Sequence, residues 1–205
     1  MVSFDTENFT RDLNLHYNRQ AAKRYAEKYA LIPNTKEYPY FEQDDCTNFV
    51  SQVLKAGGMQ ELGKKWDAFE EWFCNTKNCD DLTQISITWR VARYFRKHWA
   101  NENGIGVNRA AITVKITVQQ ALNNFNRLYV FLKEGDIIQY GDPNNNLPYH
   151  TQIIHDKGFN WMIYRYDIFM AQHTSNSLYV SLYGYLSKFN NKDTTYIYIY
   201  KIKDD

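Results

Sequence analysis

Two residue types in this chain can exchange protons or form covalent bonds near neutral pH. They are the three cysteines, Cys46, Cys74 and Cys79, and the five histidines, His16, His98, His150, His155 and His173. Cys46 has the most telling surroundings. It follows Asp45, a good helix N-cap, and the apolar Phe49, Val50, Val53 and Leu54 behind it read as a short helix stopped by Gly57-Gly58. The first turn of a helix presents free N–H groups and partial positive charge, which favour a thiolate and could stabilise an oxyanion beside it. The carboxylates Asp44 and Asp45 oppose that effect, and a free cysteine is usually a packing residue, so position alone does not make a nucleophile. Cys74 and Cys79 form a C-x4-C pair with only His98 near in sequence, short of the four ligands zinc requires. They read as reduced thiols, and neither a metal nor a cofactor is expected.

A nucleophilic thiol needs a base. His16 precedes the first predicted helix and His98 ends an amphipathic one, which reads both as surface or capping residues. His150 opens a strand directly after a loop, where a side chain can face a cleft. His155 falls on the opposite face of a regular strand. In the following strand Asp167, Phe169, Ala171 and His173 share one face, so either Asp167 or His173 could orient the base.

The elements that must position these residues change character along the chain. Ala22, Tyr25, Ala26 and Tyr29 recur at helical spacing from Asn18 and stop before Pro33. A further helix is predicted over Thr88–His98. Residues 101–131 carry weak signals, with a possible strand at Val114–Val118 and a short helix at Gln119–Phe125. Beyond Leu132, Asp136–Tyr140, His150–His155, Trp161–His173 and Thr195–Ile202 read as strands, with Asp156-Lys-Gly158 as a turn. Helices first and an antiparallel sheet second is the α+β pattern.

Several blocks resemble a known family. Tyr17-Asn-Arg-Gln-Ala-Ala22 with Tyr25-Ala26, then Asp45-Cys-Thr-Asn-Phe-Val-Ser-Gln52 with Gly57-Gly58, look like the bacterial putative amidase domain, a member of the papain-like cysteine peptidases. Ser86-Ile-Thr-Trp89, Gly135-Asp136-Ile-Ile-Gln-Tyr140, His150-Thr-Gln-Ile-Ile154 and Ala171-Gln-His-Thr-Ser-Asn176 resemble its later elements, in the family's order. Two departures stand out. Residues 101–131 fit poorly, and Asn176 stands where an Asp is frequent. The resemblance implies a papain-like α+β fold with N-terminal helices packed on a C-terminal antiparallel sheet, in one domain over residues 1–205. It implies Cys46 as nucleophile, His150 as base, and His173, Asn176 or Asp167 as the group fixing the imidazole tautomer. Distance before the cysteine suggests Tyr40 or Gln43 for the oxyanion hole, beside the Cys46 N–H. Asp45 is expected to cap the helix rather than move protons.

Such chemistry places an acyl-thioester on Cys46. Water resolves it to an acid, as in an amidase or peptidase; an amine resolves it to a new amide, as in a transglutaminase-like acyl transfer. The expected substrate is a peptide-like or acyl compound, with an amine acceptor in the second case. A lysin-like peptidoglycan amidase and a catalytically dead binding module are the competing readings. Composition narrows the field. The 24 basic and 23 acidic side chains leave a net charge of +1, without the chain-wide footprint of a nucleic-acid binder or of a protein held on an anionic membrane. No stretch nears the ~20 apolar residues of a membrane span. Met1-Val-Ser-Phe-Asp-Thr-Glu-Asn lacks a basic head and an apolar core, and the cysteines form no disulfide framework, so a cytoplasmic location is expected. Aromatics make up 17% of the chain and 17 of them are tyrosines, so much of the apolar area carries a hydroxyl that needs a partner.

Overall fold

The computed structural model describes residues 17–203 except 102, 103, 105 and 108; His16 lies outside the described residues. Helices α1 (Arg19–Tyr29), α2 (Cys46–Ala56), α3 (Ile87–Arg90) and α4 (Ala92–Ala100) come first. After them β1 (Ile112–Thr117), α5 (Val118–Asn123) and α6 (Phe125–Phe131) lead into β2 (Ile137–Gly141), β3 (Pro148–Asn160), β4 (Arg165–Gln172) and β5 (Ser177–Ser181). Helix α7 (Leu182–Ser187) and β6 (Tyr196–Lys201) complete the chain. The six strands form one antiparallel sheet in the order β1-β6-β2-β3-β4-β5. The arrangement is α+β, as the helix-then-strand order predicts.

Alternation along the central strands gives the sheet two apolar faces. One carries Ile137, Ile153, Ala171 and Tyr200, packed with Val50, Val53 and Leu54 of α2 and with Phe95 and Trp99 of α4. The other carries Ile138, Tyr140, Ile154 and Met170 against Val118, Phe125, Leu128 and Leu182 of the later helices. The segment with the weakest sequence signals therefore covers the second face. Its local chemistry is ordinary: Thr117 and Gln120 form a capping box at the start of α5.

The blocks that carry the family resemblance meet in space. Tyr17 Oη donates to Gly135 O at 3.1 Å, and a Cβ at Gly57 would lie 2.3 Å from the Tyr17 ring. Only glycine permits that approach, and Gly135 also needs its φ of +85°. Arg19 donates to Glu134 O at 2.6 Å and to Asp136 Oδ1 at 2.9 Å, so α1 is latched to the start of β2. The first block and the two glycine blocks are one packing unit.

The structure corrects several element boundaries. The predicted helix over Thr88–His98 is broken by Val91, whose φ of −119° and ψ of 120° are extended. Strand β3 runs on through Asp156-Lys-Gly158, where Gly158 pairs with Asp167, so this is no turn. The turn lies at 161–164, inside the apolar run predicted as strand. His98 is fully buried, with Nδ1 donating to Phe69 O at 2.9 Å, and is neither a surface nor a capping residue.

Candidate active site

Cys46 is the first residue of α2, 7% exposed. Asp45 precedes it but does not cap the helix with its side chain. Its Oδ1 instead accepts from Phe41 N at 2.9 Å and Asn48 Nδ2 at 2.8 Å, while Oδ2 lies 2.5 Å from His173 Nδ1. Asp45 N in turn donates to Thr174 Oγ1 at 3.0 Å. One carboxylate thus ties the preceding loop, the first turn of α2 and the end of β4 together, fixing where Cys46 sits. Asn48 extends the brace: Trp89 Nε1 donates to its Oδ1 at 2.8 Å, and its Nδ2 also donates to Pro39 O at 2.8 Å. The Ser86-x-x-Trp89 element therefore buttresses α2 from behind.

His150 lies near the start of β3, 6% exposed, and lines the same cleft as Cys46. Its Nε2 is 3.0 Å from Gln172 Oε1. The orientation of that amide is settled by its neighbours, because Gln172 Nε2 donates to Ser175 O at 2.8 Å and Gln152 Nε2 donates to Gln172 Oε1. Gln152 Oε1 accepts from Tyr140 Oη. An acceptor at Nε2 holds the proton there and leaves Nδ1 unprotonated.

The pattern of the Putative amidase domain matches residues 16–198, nearly the whole sequence. The chain belongs to that family. The matching stretch of a relative, Uncharacterized protein YjcM of Bacillus subtilis (strain 168), is 51% identical over 59 residues. Those residues are 29% of this chain and 14% of that protein, so the chain corresponds to a small part of the relative's length. No solved structure shows a significant match. The family description points to amide hydrolysis in general terms.

Within this amidase domain the predicted site residues divide. Cys46, His150 and Gln43 line a depression of about 400 Å³ with Tyr149, Tyr185 and Thr174. Cys46, Gln43 and Tyr149 also border an adjoining depression of about 660 Å³, walled by Phe41, Leu82, Arg90 and Arg93. The two depressions therefore meet at the thiol. Tyr40 points elsewhere, its ring edge-on to His173 at 6.0 Å.

His173 does not bond His150. Both of its ring nitrogens face other oxygens, Asp45 Oδ2 and Tyr29 O at 2.8 Å, and its ring stacks on Phe49 at 4.1 Å. It anchors α2. Asp167 is equally occupied, accepting from Asn160, Ser181 and the amides of Ile168 and Tyr183. Asn176 Oδ1 accepts from Thr174 N at 3.4 Å. The residue on His150 is Gln172, which the sequence reading passed over. Its one signal was its place beside the closing histidine.

Electrostatics also depart from the expected thiolate. Burial pushes the Cys46 thiol up, more than the Thr47 hydrogen bond and the Thr151 and Thr47 backbone bring it down, and Asp45 adds to the rise. Burial pushes the His150 imidazole down, and its bond to Gln172 opposes this. Behind the thiol runs a line of hydroxyls and amides. Thr47 Oγ1 lies 3.7 Å from Cys46 Sγ and 2.8 Å from Thr151 Oγ1, which accepts from Gln139 Nε2 at 2.9 Å. Tyr200 Oη donates to Gln139 Oε1 at 2.6 Å. Cys74 is buried and Cys79 is exposed on the cleft rim; all three thiols are free. No described helix is long and apolar enough to cross a membrane.

Proposed function

We propose that this protein is a papain-like cysteine amidase that works through an acyl-thioester on Cys46. One observation carries the reading: a thiol at a helix start shares a cleft with a histidine whose far nitrogen is bound to a fixed side-chain amide oxygen. His150 Nδ1 takes the Cys46 proton as sulfur attacks the substrate carbonyl carbon. The Cys46 N–H, one of the helix-start amides without an intrahelical partner, faces the oxyanion together with Gln43. Collapse breaks the C–N bond, and the His150 proton passes to the departing amine. Water, deprotonated by His150, then attacks the thioester, giving the free acid and restoring the thiol. Gln172 holds the imidazole in the reactive tautomer throughout.

Two depressions that meet at Cys46 suit a substrate extended on both sides of the scissile amide, hence a peptide-like one. The experiment is intact-protein mass spectrometry after mixing with peptide amides or acyl thioesters. An adduct on Cys46 that decays to free acid is expected, and none should form in Cys46→Ala. Turnover retained in Cys46→Ala would refute the reading. Decay accelerated by added amines, with an amide product, would assign transfer instead of hydrolysis.

A further inference from the structure

The hairpin joining β3 to β4 ends in a turn at 161–164 whose four residues are all apolar. Trp161 is 74% exposed, Met162 91%, Ile163 39% and Tyr164 80%. Turns are ordinarily polar, and a run of exposed apolar residues there is a fault unless it serves a contact. The rings below continue the patch: Phe159 lies 4.7 Å from Trp161 and 5.5 Å from Tyr166, both edge-on.

Three features say what this apex fits. Two of its amides are satisfied from within, since Asn160 Oδ1 accepts from Met162 N at 3.0 Å and Asn160 O accepts from Ile163 N at 3.3 Å. Asn160 is itself held by a 3.0 Å bond to the buried Asp167. Those amides can leave water without losing partners. Charge is the second feature. Residues 157–166 contain Lys157 and Arg165 and no acid. Lys157 Nζ donates to Leu132 O at 2.7 Å and Arg165 lies 3.5 Å over the Tyr183 ring, so both cations are held on the flanks of the hairpin and lend it positive charge. The neighbouring Asp156 is paired with Lys23 at 3.0 Å, and Glu134 stands at the root of the hairpin. Shape is the third. The apex of a two-stranded ribbon is narrow and convex, too small for the roughly 800 Å² per partner of a stable protein interface. A bilayer surrounds such an apex, takes Trp and Tyr at headgroup level, and meets the basic side chains with anionic lipid.

We propose that the 161–164 turn inserts into the interfacial zone of an anionic lipid bilayer and docks the protein on a membrane surface. The eleven steps of chain from His150 to Trp161 run along β3 and span roughly 35 Å at the usual rise. The cleft thus lies at the far end of the same strand and stays open to solvent when the tip is docked. The chain-wide charge of +1 conceals the local cations, which is why composition alone argues against a membrane.

Co-sedimentation with vesicles tests this, using phosphatidylcholine alone and phosphatidylcholine mixed with phosphatidylglycerol. The unaltered chain should sediment with the mixed vesicles and far less with the neutral ones. Trp161→Ser with Met162→Ser should lower the affinity at least roughly tenfold, given the apolar area removed from the interface. Its unfolding transition should not move, because both side chains are exposed. Lys157→Gln should cost roughly fivefold, and added salt should weaken binding similarly. Cys46→Ala should bind as the unaltered chain does, separating docking from catalysis. The proposal is overturned by no binding to mixed vesicles, by equal binding to neutral ones, or by binding that survives loss of the tip. Tip-dependent self-association without vesicle binding would overturn it too, assigning the patch to a second copy.

Discussion

At the scale of single residues, the chemistry of the cleft follows from burial acting with opposite sign on two groups. Removing water disfavours the charged form of each, so the thiol is pushed up and the imidazole down, and the resting pair is thiol and neutral base. On the proposed mechanism, proton transfer then accompanies attack. Because His150 resists protonation, its basic form survives as the pH falls past the ordinary histidine value of about 6.5. The acid limb of kcat/KM should accordingly lie below that value. Gln172→Glu places a carboxylate against Nε2, which favours imidazolium, and should shift the limb to higher pH. Gln172→Ala should lower kcat by roughly two orders of magnitude while the Cys46 adduct still forms. His173→Gln should lower thermal stability and leave the limb in place. A limb that moves with His173 and ignores Gln172 would reverse the two assignments. Cys46 and His150, which line one cleft, were legible in the sequence as candidates because sulfur and imidazole announce their chemistry. Gln172 was not, because a neutral amide can orient an imidazole only once folding brings His150 and Gln152 of the neighbouring strand to its oxygen and Ser175 O to its nitrogen.

The same division holds for elements. Helix α2 could be read from its apolar spacing and its glycine stop. What holds its first turn could not, since Asp45 makes its bonds to Phe41, Asn48 and His173 in place of a cap. Asp45→Asn keeps the shape and removes the charge facing His173. It should cost about 1–3 kcal/mol in denaturant unfolding and depress kcat more than it raises KM, because the start of α2 loosens. The break at Val91 shapes the wall opposite. Arg90, at the end of α3, lines the cleft with its buried Nε lacking a hydrogen-bond partner. A substrate carboxylate in the cleft would be drawn to this guanidinium charge, so Arg90→Gln should raise KM for acidic acyl donors and leave neutral ones nearly unchanged. Equal effects on both classes would remove Arg90 from recognition. The 161–164 turn misled the sequence reading for a physical reason. Its residues have the composition of a buried strand but are spent on an exposed surface. Helix α7 had a visible signal, Ser181, whose Oγ accepts from Gly184 N at 2.8 Å, but its six residues are too few to show a period.

Across the whole molecule, the two apolar faces of the sheet bury histidines along with the hydrocarbon, and this couples the fold to pH. His150 and His155 are both pushed down, with burial the first cause in each case. His98 is the extreme, lowered to about 3 by burial and then by the Arg109 cation. Arg109 is in turn held between Trp72 and Trp99, its guanidinium carbon 4.9 Å from each ring centre. The His98 Nδ1 proton goes to Phe69 O and its Nε2 is buried without a partner, so the ring is stored neutral. An unfolded chain protonates this histidine near 6.5, while the folded chain does so only near 3. Between those values the unfolded state binds the extra proton, so stability is complete above about 6.5 and drains away as the pH falls. Over the full window this one residue accounts for a loss on the order of 5 kcal/mol, at up to about 1.4 kcal/mol per pH unit. His98→Gln retains a donor for Phe69 O and has no proton to gain. Urea unfolding at a series of pH values from neutral downward should show a shallower decline for the variant, with the two curves drawing together as the pH falls. Parallel curves would mean that His98 titrates alike in both states, and the acid sensitivity of the fold would then have to arise elsewhere.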